Sequence, residues 1–335
     1  MRSPRWPKVV IAVGLALVLL AGSGFGAAKF LQHRYESSVA QQVLLDPGAR
    51  SSDPATTAWR TGPLNFLLLG SDLRAGEPEN GQRSDTIIIM QVNAQRNSAY
   101  LISIPRDLLV DIPADPTTGF PGSREKINAA FQFGGGGEGG VQLLSATLAE
   151  LVGIKFDGAA VLDFTGFAKV VDLLGGVHMC VDTPVTSIHT GRVFPVGCQR
   201  FNGDEALDYS RQRYGLENGD YDRQRHDQQL IKAVFDTALT SGIAYNPIKL
   251  DQFIRALGNS LTMDTGGASL TDVMLALRDL RPDALVGVAV PSYPQMIGDV
   301  SYVLMDQDAP TLWQAIQQAD LPDWAALHPQ WIHGL

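Results

Sequence analysis

An uncharged stretch of twenty residues, Val9 to Ala28, lies near the amino terminus and consists mostly of Val, Ile, Leu, Ala and Gly. At the helical rise of about 1.5 Å per residue, such a stretch spans roughly 30 Å, the thickness of a bilayer's hydrocarbon core. Arg2, Arg5 and Lys8 precede it, and cationic flanks prefer the cytoplasmic side of a membrane. We therefore predict a cytoplasmic tail over residues 1–8, a single transmembrane helix over 9–28, and a cell-membrane protein whose main part is extracytoplasmic.

A cleaved signal peptide is the alternative for this stretch, because Gly24-Phe25-Gly26 has the small-x-small pattern of a cleavage site. The uncleaved helix is favoured, since the apolar run is longer than the core of a usual signal peptide. Both interpretations export the rest of the chain to a compartment where disulfides persist. The two cysteines, Cys180 and Cys198, lack the neighbouring ligands that a zinc site requires, so we predict that they form a disulfide.

The remaining sequence divides into a polar stalk and linker over residues 29–62 and one extracytoplasmic domain over residues 63–335. Short apolar runs predict buried strands at 65–70, 86–93 and 99–104. Helical spacing predicts a long helix over 222–240, among others. Strands and helices that alternate in this way indicate an α/β or α+β fold built in layers.

The net charge of −9 argues against a nucleic-acid-binding protein, since such proteins carry a basic surface. Against this acidic background, six arginines occur in four short segments at the ends of predicted elements, where side chains face clefts rather than cores. They are Arg83, Arg106, Arg211, Arg213, Arg223 and Arg225. Any one of them could form an ordinary surface ion pair. An arginine also presents a planar fork of donors that matches phosphate oxygens, so as a set they predict a pyrophosphate site.

Two aspartates accompany these arginines: Asp72 in Gly-Ser-Asp and Asp85 in Arg-Ser-Asp. Carboxylates beside a phosphate site commonly share a magnesium ion, which keeps part of its water shell and bridges to substrate oxygens. We therefore predict Mg²⁺ as a cofactor, with Asp72 and Asp85 as its ligands.

Eight short motifs follow one another in a fixed order between residues 64 and 240. They are Gly70-Ser71-Asp72, Arg83-Ser84-Asp85-Thr86, Ser103-Ile104-Pro105-Arg106-Asp107, Lys126-Ile127-Asn128-Ala129, Asp163-Phe164-Thr165-Gly166-Phe167, Leu174-Gly175-Gly176-Val177, Asn202-Gly203 to Ala206-Leu207, and Arg211-Gln212-Arg213 to Gln229. Together with the single amino-terminal span, this set resembles the LytR-CpsA-Psr family of bacterial cell-envelope proteins, and the cysteine pair is similar to that of its actinobacterial members. The resemblance implies a layered α-β-α domain with a central mixed sheet.

The resemblance also implies an enzyme that transfers a glycopolymer from a polyprenyl-pyrophosphate carrier to peptidoglycan, forming a phosphodiester with the help of magnesium at Asp72 and Asp85. The implied pyrophosphate contacts are Arg83, Arg106, Arg211, Arg213, Arg223, Arg225, Asp220 and Gln228. Arg83, Arg106 and Asp107 are the implied catalytic residues, and either Asp107 or Asp85 would activate the attacking sugar hydroxyl. The polyprenyl tail would lie in an apolar tunnel. The implied partners are the lipid-linked donor, peptidoglycan and the membrane, with no nucleic acid.

One position departs from the family pattern, because members commonly have Arg-Gln-Gln where this chain has His226-Asp227-Gln228. Asp227 lies four residues after Arg223, so a helix would bring the two side chains together. Such a pair would tie up one arginine, or supply an extra base or metal ligand. Two further hypotheses therefore stay open: a polyprenyl-pyrophosphate hydrolase, in which water replaces the sugar acceptor, and a non-enzymatic lipid-binding or regulatory membrane protein.

Overall fold

A mixed sheet of eight strands forms the centre of the computed structural model, which describes residues 40–51, 62–71, 84–242, 253, 260–268 and 270–335. The strands are β1 (Ala40–Gln41), β2 (Leu64–Ser71), β3 (Ser84–Val92), β4 (Ala99–Ser103), β5 (Leu109–Ile112), β6 (Ser123–Lys126), β7 (Gly158–Asp163), β8 (Val177–Val181), β9 (Val185–Thr186), β10 (Val193–Phe194), β11 (Gly197–Phe201), β12 (Leu261–Asp264), β13 (Leu285–Ala289), β14 (Ser292–Ile297), β15 (Val300–Met305) and β16 (Ile332–His333). The α-helices are α1 (Asn128–Phe133), α2 (Gly137–Val152), α3 (Phe164–Leu173), α4 (Gly203–Ser210), α5 (Asp220–Thr240), α6 (Leu270–Leu277), α7 (Ala309–Gln318) and α8 (Leu321–Leu327), and two short 3-10 helices are Pro282–Ala284 and Pro329–Trp331.

The strand order of the central sheet is β1-β12-β7-β2-β3-β4-β13-β16. Strand β2 runs parallel to β7 and antiparallel to β3, and β4 runs antiparallel to β3 and parallel to β13. The four other strand pairs of the described residues are β5–β6, β8–β11, β9–β10 and β14–β15. The predicted mixed central sheet is confirmed.

The apolar run in β2 reflects burial of the sheet on both faces. Successive side chains of a strand point to opposite faces, so Leu67 and Leu69 enter one hydrophobic core while Leu64 and Phe66 enter another. Strands buried on both faces have continuous rather than alternating apolar sequences. Helices α1, α2, α7 and α8 contribute to the first core, and α5 and α6 to the second. The predicted arrangement in layers is therefore confirmed.

A third core lies beside the sheet, where α3, α4 and β8 to β11 pack around Tyr209. Phe194 and Phe201 make edge contacts with the Tyr209 ring, at centroid distances of 5.3 and 5.5 Å. Asn202 caps α4 in a capping box, with reciprocal bonds between Asn202 and Glu205. This packing fixes the end of α4, and with it the segment that carries Arg211 and Arg213.

Part of the predicted stalk belongs to the folded domain. Leu44 and Leu45 are 2% and 0% exposed and lie in the first core. Their backbone N–H groups both donate to Oδ2 of Asp264, which also accepts from Arg50 at 2.6 Å. Residues 40–51 are therefore packed against the sheet rather than forming a linker. The polar composition of this segment did not indicate that Leu44 and Leu45 are buried, because the residue that binds their N–H groups, Asp264, lies more than 200 positions further along the chain.

No helix in the described part of the chain is both long and apolar enough to cross a membrane. The predicted tail over 1–8 and the predicted span over 9–28 lie outside the described residues.

The predicted disulfide joins Cys180 of β8 to Cys198 of β11, which face each other in the antiparallel register of that pair. Both side chains are exposed, so the disulfide lies on the surface and not in a hydrophobic core. It links two residues that are 18 positions apart in the sequence.

We expect the double variant Cys180→Ser/Cys198→Ser to lose about 3 kcal/mol of unfolding free energy, because a loop of this length restricts the unfolded chain by roughly that amount. Urea unfolding of the oxidised protein and the variant measures the difference, with the chemically reduced protein as a matched control. A loss well under 1 kcal/mol would show that the paired strands already supply the constraint.

Candidate active site

Several of the predicted site residues that the structure describes lie at one end of the sheet, where β2, β4, β7 and β13 end and β3 begins. Open sheets bind ligands beyond the carboxyl ends of strands, where loops and helix starts carry polar groups. Asp85 and Thr86 lie at the start of β3, Arg106 follows β4, and Asp220 opens α5. Segments that are far apart in sequence therefore meet at one place.

Arg106 lies between several carboxylates at this edge. Its Nη1 donates to Oδ1 of Asp85 over 2.6 Å, and the two side chains are 19% and 20% exposed. Its Nε lies 3.7 Å from carboxylate oxygens of both Asp107 and Asp220, and forms no hydrogen bond with a described residue. Lys126 holds the other oxygen of Asp107 at 3.1 Å. Because buried donors are nearly always satisfied, the free N–H of Arg106 is suited to an anionic ligand.

Arg223 is already saturated with protein partners. Its Nε and Nη2 bind the two carboxylate oxygens of Asp220 at 2.9 and 3.2 Å. Nη2 also donates to the carbonyl of Asp85 at 2.9 Å, while Nη1 donates to Asp227 at 3.1 Å and to Thr86 at 3.3 Å. Five donors are all that a guanidinium has. Arg223 therefore holds α5 against β3, rather than offering a free fork to pyrophosphate as predicted.

Arg211 and Arg213 flank Gln212, which is fully buried. The guanidinium of Arg211 lies over the ring of Phe164, with Cζ 4.9 Å from the centroid. Nη2 of Arg213 is 4.0 Å from Asp85, which is too far for a hydrogen bond. Burial lowers the pKa of Arg213, and the positive charges of two neighbouring arginines lower it further. Crowded cations of this kind mark a place where a bound anion is stabilised.

Two adjoining cavities border this cluster. A polar cavity of about 70 Å³ is lined by Asp85, His189, Arg211, Arg213 and Arg223, among others. A larger apolar cavity of about 230 Å³ is lined mainly by Leu, Ile and Phe side chains of the sheet, α3, α4 and α5. Thr86, Phe164, Ser210 and Asp227 line both. The apolar cavity therefore opens directly onto the arginines.

The sequence from residue 29 to residue 318 matches the model of the LytR_cpsA_psr family. The chain belongs to this family. The resemblance carried by the eight motifs is confirmed, and the match covers seven of the eight strands of the central sheet and the arginine cluster.

Relatives of known role belong to the same LytR_cpsA_psr group. The cell wall biosynthesis protein LcpA of Corynebacterium glutamicum is 29% identical over 294 residues, covering 78% of this chain and 55% of LcpA. The chain thus spans about half the length of that relative. The polyisoprenyl-teichoic acid–peptidoglycan teichoic acid transferase TagU of Enterococcus faecalis is 28% identical over 303 residues, covering 89% and 91%. The crystal structure of protein gbs0355 from Streptococcus agalactiae has the same fold, with a TM-score of 0.66 at 22% identity over 79% and 91% of the two chains.

Two predicted residues of the family site, Asp72 and Arg83, lie outside the described residues. Over the part that is described, no group of three or more His, Cys, Asp or Glu side chains is arranged to hold a metal. Asp85 fits a magnesium ligand, because only its Oδ1 bonds a described residue, and its side chain borders the polar cavity. Magnesium commonly uses one or two carboxylates and completes its shell with water and substrate phosphates.

Two predicted pyrophosphate contacts, Arg225 and Gln228, line neither cavity. Arg225 lies about 200° around α5 from Arg223, and it pairs with Asp182 and Asp222. Gln228 is fully buried, and its amide donates to the carbonyls of Leu101 and Val288 and to the Ser103 hydroxyl. Gln228 therefore ties α5 to β4 and β13 beneath the site.

Several side chains at the site had no predicted role. Lys126 and Phe164 stand inside family motifs, so their positions in those motifs were the available signal. Thr86 donates its hydroxyl hydrogen to Asp227 over 2.8 Å, which sequence spacing could not show. His189 lines the polar cavity and belongs to none of the eight motifs.

Asp227, the departure from the family pattern, forms the predicted pair with Arg223 and sits where the two cavities meet. Burial raises the pKa of Asp227 to about 6, and the attraction of Arg223 and the bond from Thr86 offset only part of that effect. The Asp227 carboxylate thus accepts a hydrogen bond from Arg223. The neutral glutamine that is common at this position in the family would not neutralise the charge of Arg223, which would leave that charge to a bound anion.

We expect Asp227→Asn to become more stable relative to the wild type as pH rises from 4 to 7. A carboxyl whose folded pKa of about 6 exceeds its unfolded value of 3.8 contributes stability below pH 4 that is lost as pH rises through 6. The relative change should be about 2 to 3 kcal/mol, the equivalent of two pKa units. Urea unfolding of both proteins across this range measures it. A difference that stays constant with pH would contradict the raised pKa.

Proposed function

We propose that the chain is a glycopolymer phosphotransferase, which takes a glycan phosphate from a polyprenyl-pyrophosphate carrier and joins it to a peptidoglycan sugar hydroxyl. The observation that carries this proposal is the apolar cavity of about 230 Å³ that opens onto the arginine-lined polar cavity. A polyprenyl diphosphate has the same two parts, an apolar chain joined directly to a charged head group. The printed name of the Enterococcus faecalis relative, a polyisoprenyl-teichoic acid–peptidoglycan teichoic acid transferase, describes the same kind of donor and acceptor.

The reaction exchanges one phosphorus–oxygen bond for another. The acceptor hydroxyl oxygen attacks the phosphorus that bears the glycan, and the bond from that phosphorus to the bridging oxygen breaks. Polyprenyl phosphate leaves, and a glycan phosphodiester forms. Negative charge grows on the bridging oxygen and on the other phosphate oxygens, and stabilising this charge is the main task of the protein.

Arg106, Arg211 and Arg213 are the described side chains with donors available for that task. Arg106 has an unbonded Nε, and Arg211 and Arg213 border the polar cavity without a described hydrogen bond to their guanidinium groups. Arg223 supports them by fixing Asp220 and Asp85. Magnesium bound by Asp85 and Asp72 would supply Lewis-acid polarisation of a phosphoryl oxygen.

The proposal also places the chain at the cell membrane through the span at residues 9–28, with the site on the extracytoplasmic side. A donor with a polyprenyl tail resides in a membrane, and an anchored domain meets it without leaving the surface. A protease added outside intact cells should degrade the domain and spare a tag at residue 1, whereas protection of the domain would overturn this topology.

The function is tested with the full-length chain in detergent, a synthetic polyprenyl diphosphate carrying a short glycan, a peptidoglycan oligomer and Mg²⁺. The expected products are polyprenyl monophosphate and a glycan–phosphate–peptidoglycan adduct, both detected by mass spectrometry. Omitting Mg²⁺ should abolish turnover.

The remaining hypotheses give different products. Release of polyprenyl monophosphate together with free glycan phosphate, in the presence of the acceptor, would favour the hydrolase. Saturable binding of the donor with no product from either route would favour a lipid-binding or regulatory protein. Either result would overturn the proposed transfer.

A further inference from the structure

We propose that His189 is a further catalytic residue of this site: it contacts the substrate on the side of the polar cavity and takes up the proton of the acceptor hydroxyl. The inference rests on the proposed function. It arises from the position of His189 and from the way its loop is held.

The loop of residues 187–192 is tied down although most of its side chains are exposed. Ser187 accepts the N–H groups of His189 and Thr190 on its hydroxyl, at 3.0 and 3.1 Å. Its own N–H donates to the carbonyl of Arg192. Beneath the loop, the carboxylate of Asp208 accepts from the hydroxyls of Ser187 and Thr190, at 2.6 and 2.5 Å. An exposed loop bonded in this way holds its tip in one position.

Gln212 joins this loop to the arginine pair. Its amide donates to Ser187 Oγ at 3.0 Å and to the Asp208 carboxylate at 3.0 Å, and its oxygen accepts from the N–H of Ile188 at 3.2 Å. Because Gln212 is the residue between Arg211 and Arg213, one buried side chain sets the distance between the loop tip and both arginines.

The two cavities place His189 on the head-group side of the donor. His189 lines the polar cavity and does not line the apolar one. In the proposed complex the lipid tail would occupy the apolar cavity and the head group the polar cavity, which His189 lines. The acceptor is a polymer that must enter from solvent, and His189 is exposed at that rim. Its ring makes no hydrogen bond or ion pair with the described residues.

Each carboxylate that lines the cavity already binds an arginine. Asp85 is bound by Arg106, and Asp227 is bound by Arg223 and Thr86. Outside the cavity lining, Asp107 is held by Lys126, and on the loop itself Arg192 is paired with Glu205 at 2.6 Å. Arginines do not give up protons in proteins. A neutral imidazole has a ring nitrogen that can accept a proton, so His189 is the available acceptor among the described groups.

The step balances with the groups named. The acceptor oxygen forms a bond to the glycan-bearing phosphorus as its proton passes to the free ring nitrogen of His189. The bridging phosphorus–oxygen bond breaks, and polyprenyl phosphate leaves with that electron pair. The histidinium then returns its proton to solvent. No oxidant or further reactant is required.

The test compares His189→Ala with the wild type in the transfer assay, using full-length protein, the synthetic donor, the peptidoglycan oligomer and Mg²⁺. We expect kcat to fall about 100-fold with little change in the KM of the donor, as is usual on removal of a general base. Free imidazole should then restore activity by about tenfold, because the exposed position leaves room for it. His178→Ala, at an exposed histidine of β8, is the matched control and should keep wild-type kinetics.

A kcat within about twofold of wild type, or a loss that imidazole does not restore, would overturn the role of His189. Gln212→Ala separates positioning from proton transfer, because it should lower kcat in a way that imidazole cannot restore. Rescue of Gln212→Ala by imidazole would overturn the positioning of the loop by Gln212. An inactive wild-type protein would remove the proposed function and this inference together, whereas an active wild type with an unaffected His189→Ala removes the inference alone.

Discussion

Arg106→Ala is expected to lower kcat for glycan transfer by about 100- to 1,000-fold while the protein stays folded. Removing one preorganised donor from a site of developing negative charge has an effect of that size. Arg106 is placed for it, because its Nη1 fixes Asp85 and its Nε has no partner among the described residues. Steady-state release of polyprenyl monophosphate measures the loss, and circular dichroism confirms the fold.

Arg281→Ala is the matched control for Arg106→Ala. Arg281 is 67% exposed and lies 3.9 Å from Asp283, and it has none of the carboxylate contacts of Arg106. Its removal takes away the same charge without touching the site, so turnover should be unchanged. Wild-type turnover by a folded Arg106→Ala protein would remove Arg106 from the mechanism.

Arg223→Ala is expected to lower the free energy of unfolding by about 3 to 5 kcal/mol, the effect of removing one partner from a buried ion pair. The Arg223 side chain is 4% exposed and is shared by Asp220 and Asp227, which are 27% and 12% exposed. Its loss leaves two carboxylates with like charge beside each other, together with an unpaired carbonyl at Asp85. Urea unfolding at pH 7 measures the difference.

Arg225→Ala, two residues further along α5, provides the comparison. Arg225 is 26% exposed and its partner Asp182 is 47% exposed, and surface pairs of this kind contribute about 0 to 1 kcal/mol. Equal losses from the two variants would contradict the structural role assigned to Arg223. A large loss from Arg223→Ala alone would support the view that this arginine frames the site and leaves the direct phosphate contacts to its neighbours.

Sequence patterns predicted the centre of the sheet well. The apolar runs that became β2, β3 and β4 are buried on both faces, so their composition alone sets them apart from loops. Strand β7, which lies between β2 and β12, was not predicted. Its sequence, Gly-Ala-Ala-Val-Leu-Asp, has small residues that fit a crowded sheet but give a weak strand signal.

The sequence predicted which residues belong to the site, but the role of each residue depends on its position in the fold. Arg223 and Arg225 have the same chemistry and stand two positions apart, yet one faces the cavity edge and the other the surface. The helix start at residue 222 was predicted two positions late, and the angular position of a side chain on a helix decides its partners. Gln228 and Asp227 differ in the same way, since Asp227 lines both cavities and Gln228 lines neither.

Burial on α5 shows the limit of periodicity as a guide. The apolar residues of this helix begin at Leu230, but its first half buries the polar residues Arg223, Gln224, His226 and Gln228. Such burial is tolerated because Arg223 and Gln228 donate hydrogen bonds to backbone carbonyls of the sheet. The sequence alone does not show which carbonyls of the sheet lie next to this helix.

In the proposed membrane topology, the anchoring of residues 40–51 by Asp264 would limit how far the domain can move from the membrane. With the proposed span ending at residue 28, the tether to the first strand residue at 40 has about twelve residues, and a fully extended chain of that length reaches at most about 40 Å. The point where this segment joins the domain is also fixed, because the N–H groups of Leu44 and Leu45 both bind the carboxylate of Asp264 in β12. Loss of these hydrogen bonds, for example in Asp264→Ala, would free residues 40–51 to extend the connecting segment by up to about a further 40 Å. The orientation of the domain above the bilayer would then be less restricted. A lipid that cannot leave the membrane and a polymer at a fixed height above it would then be brought together less often, even by a site whose chemistry is intact.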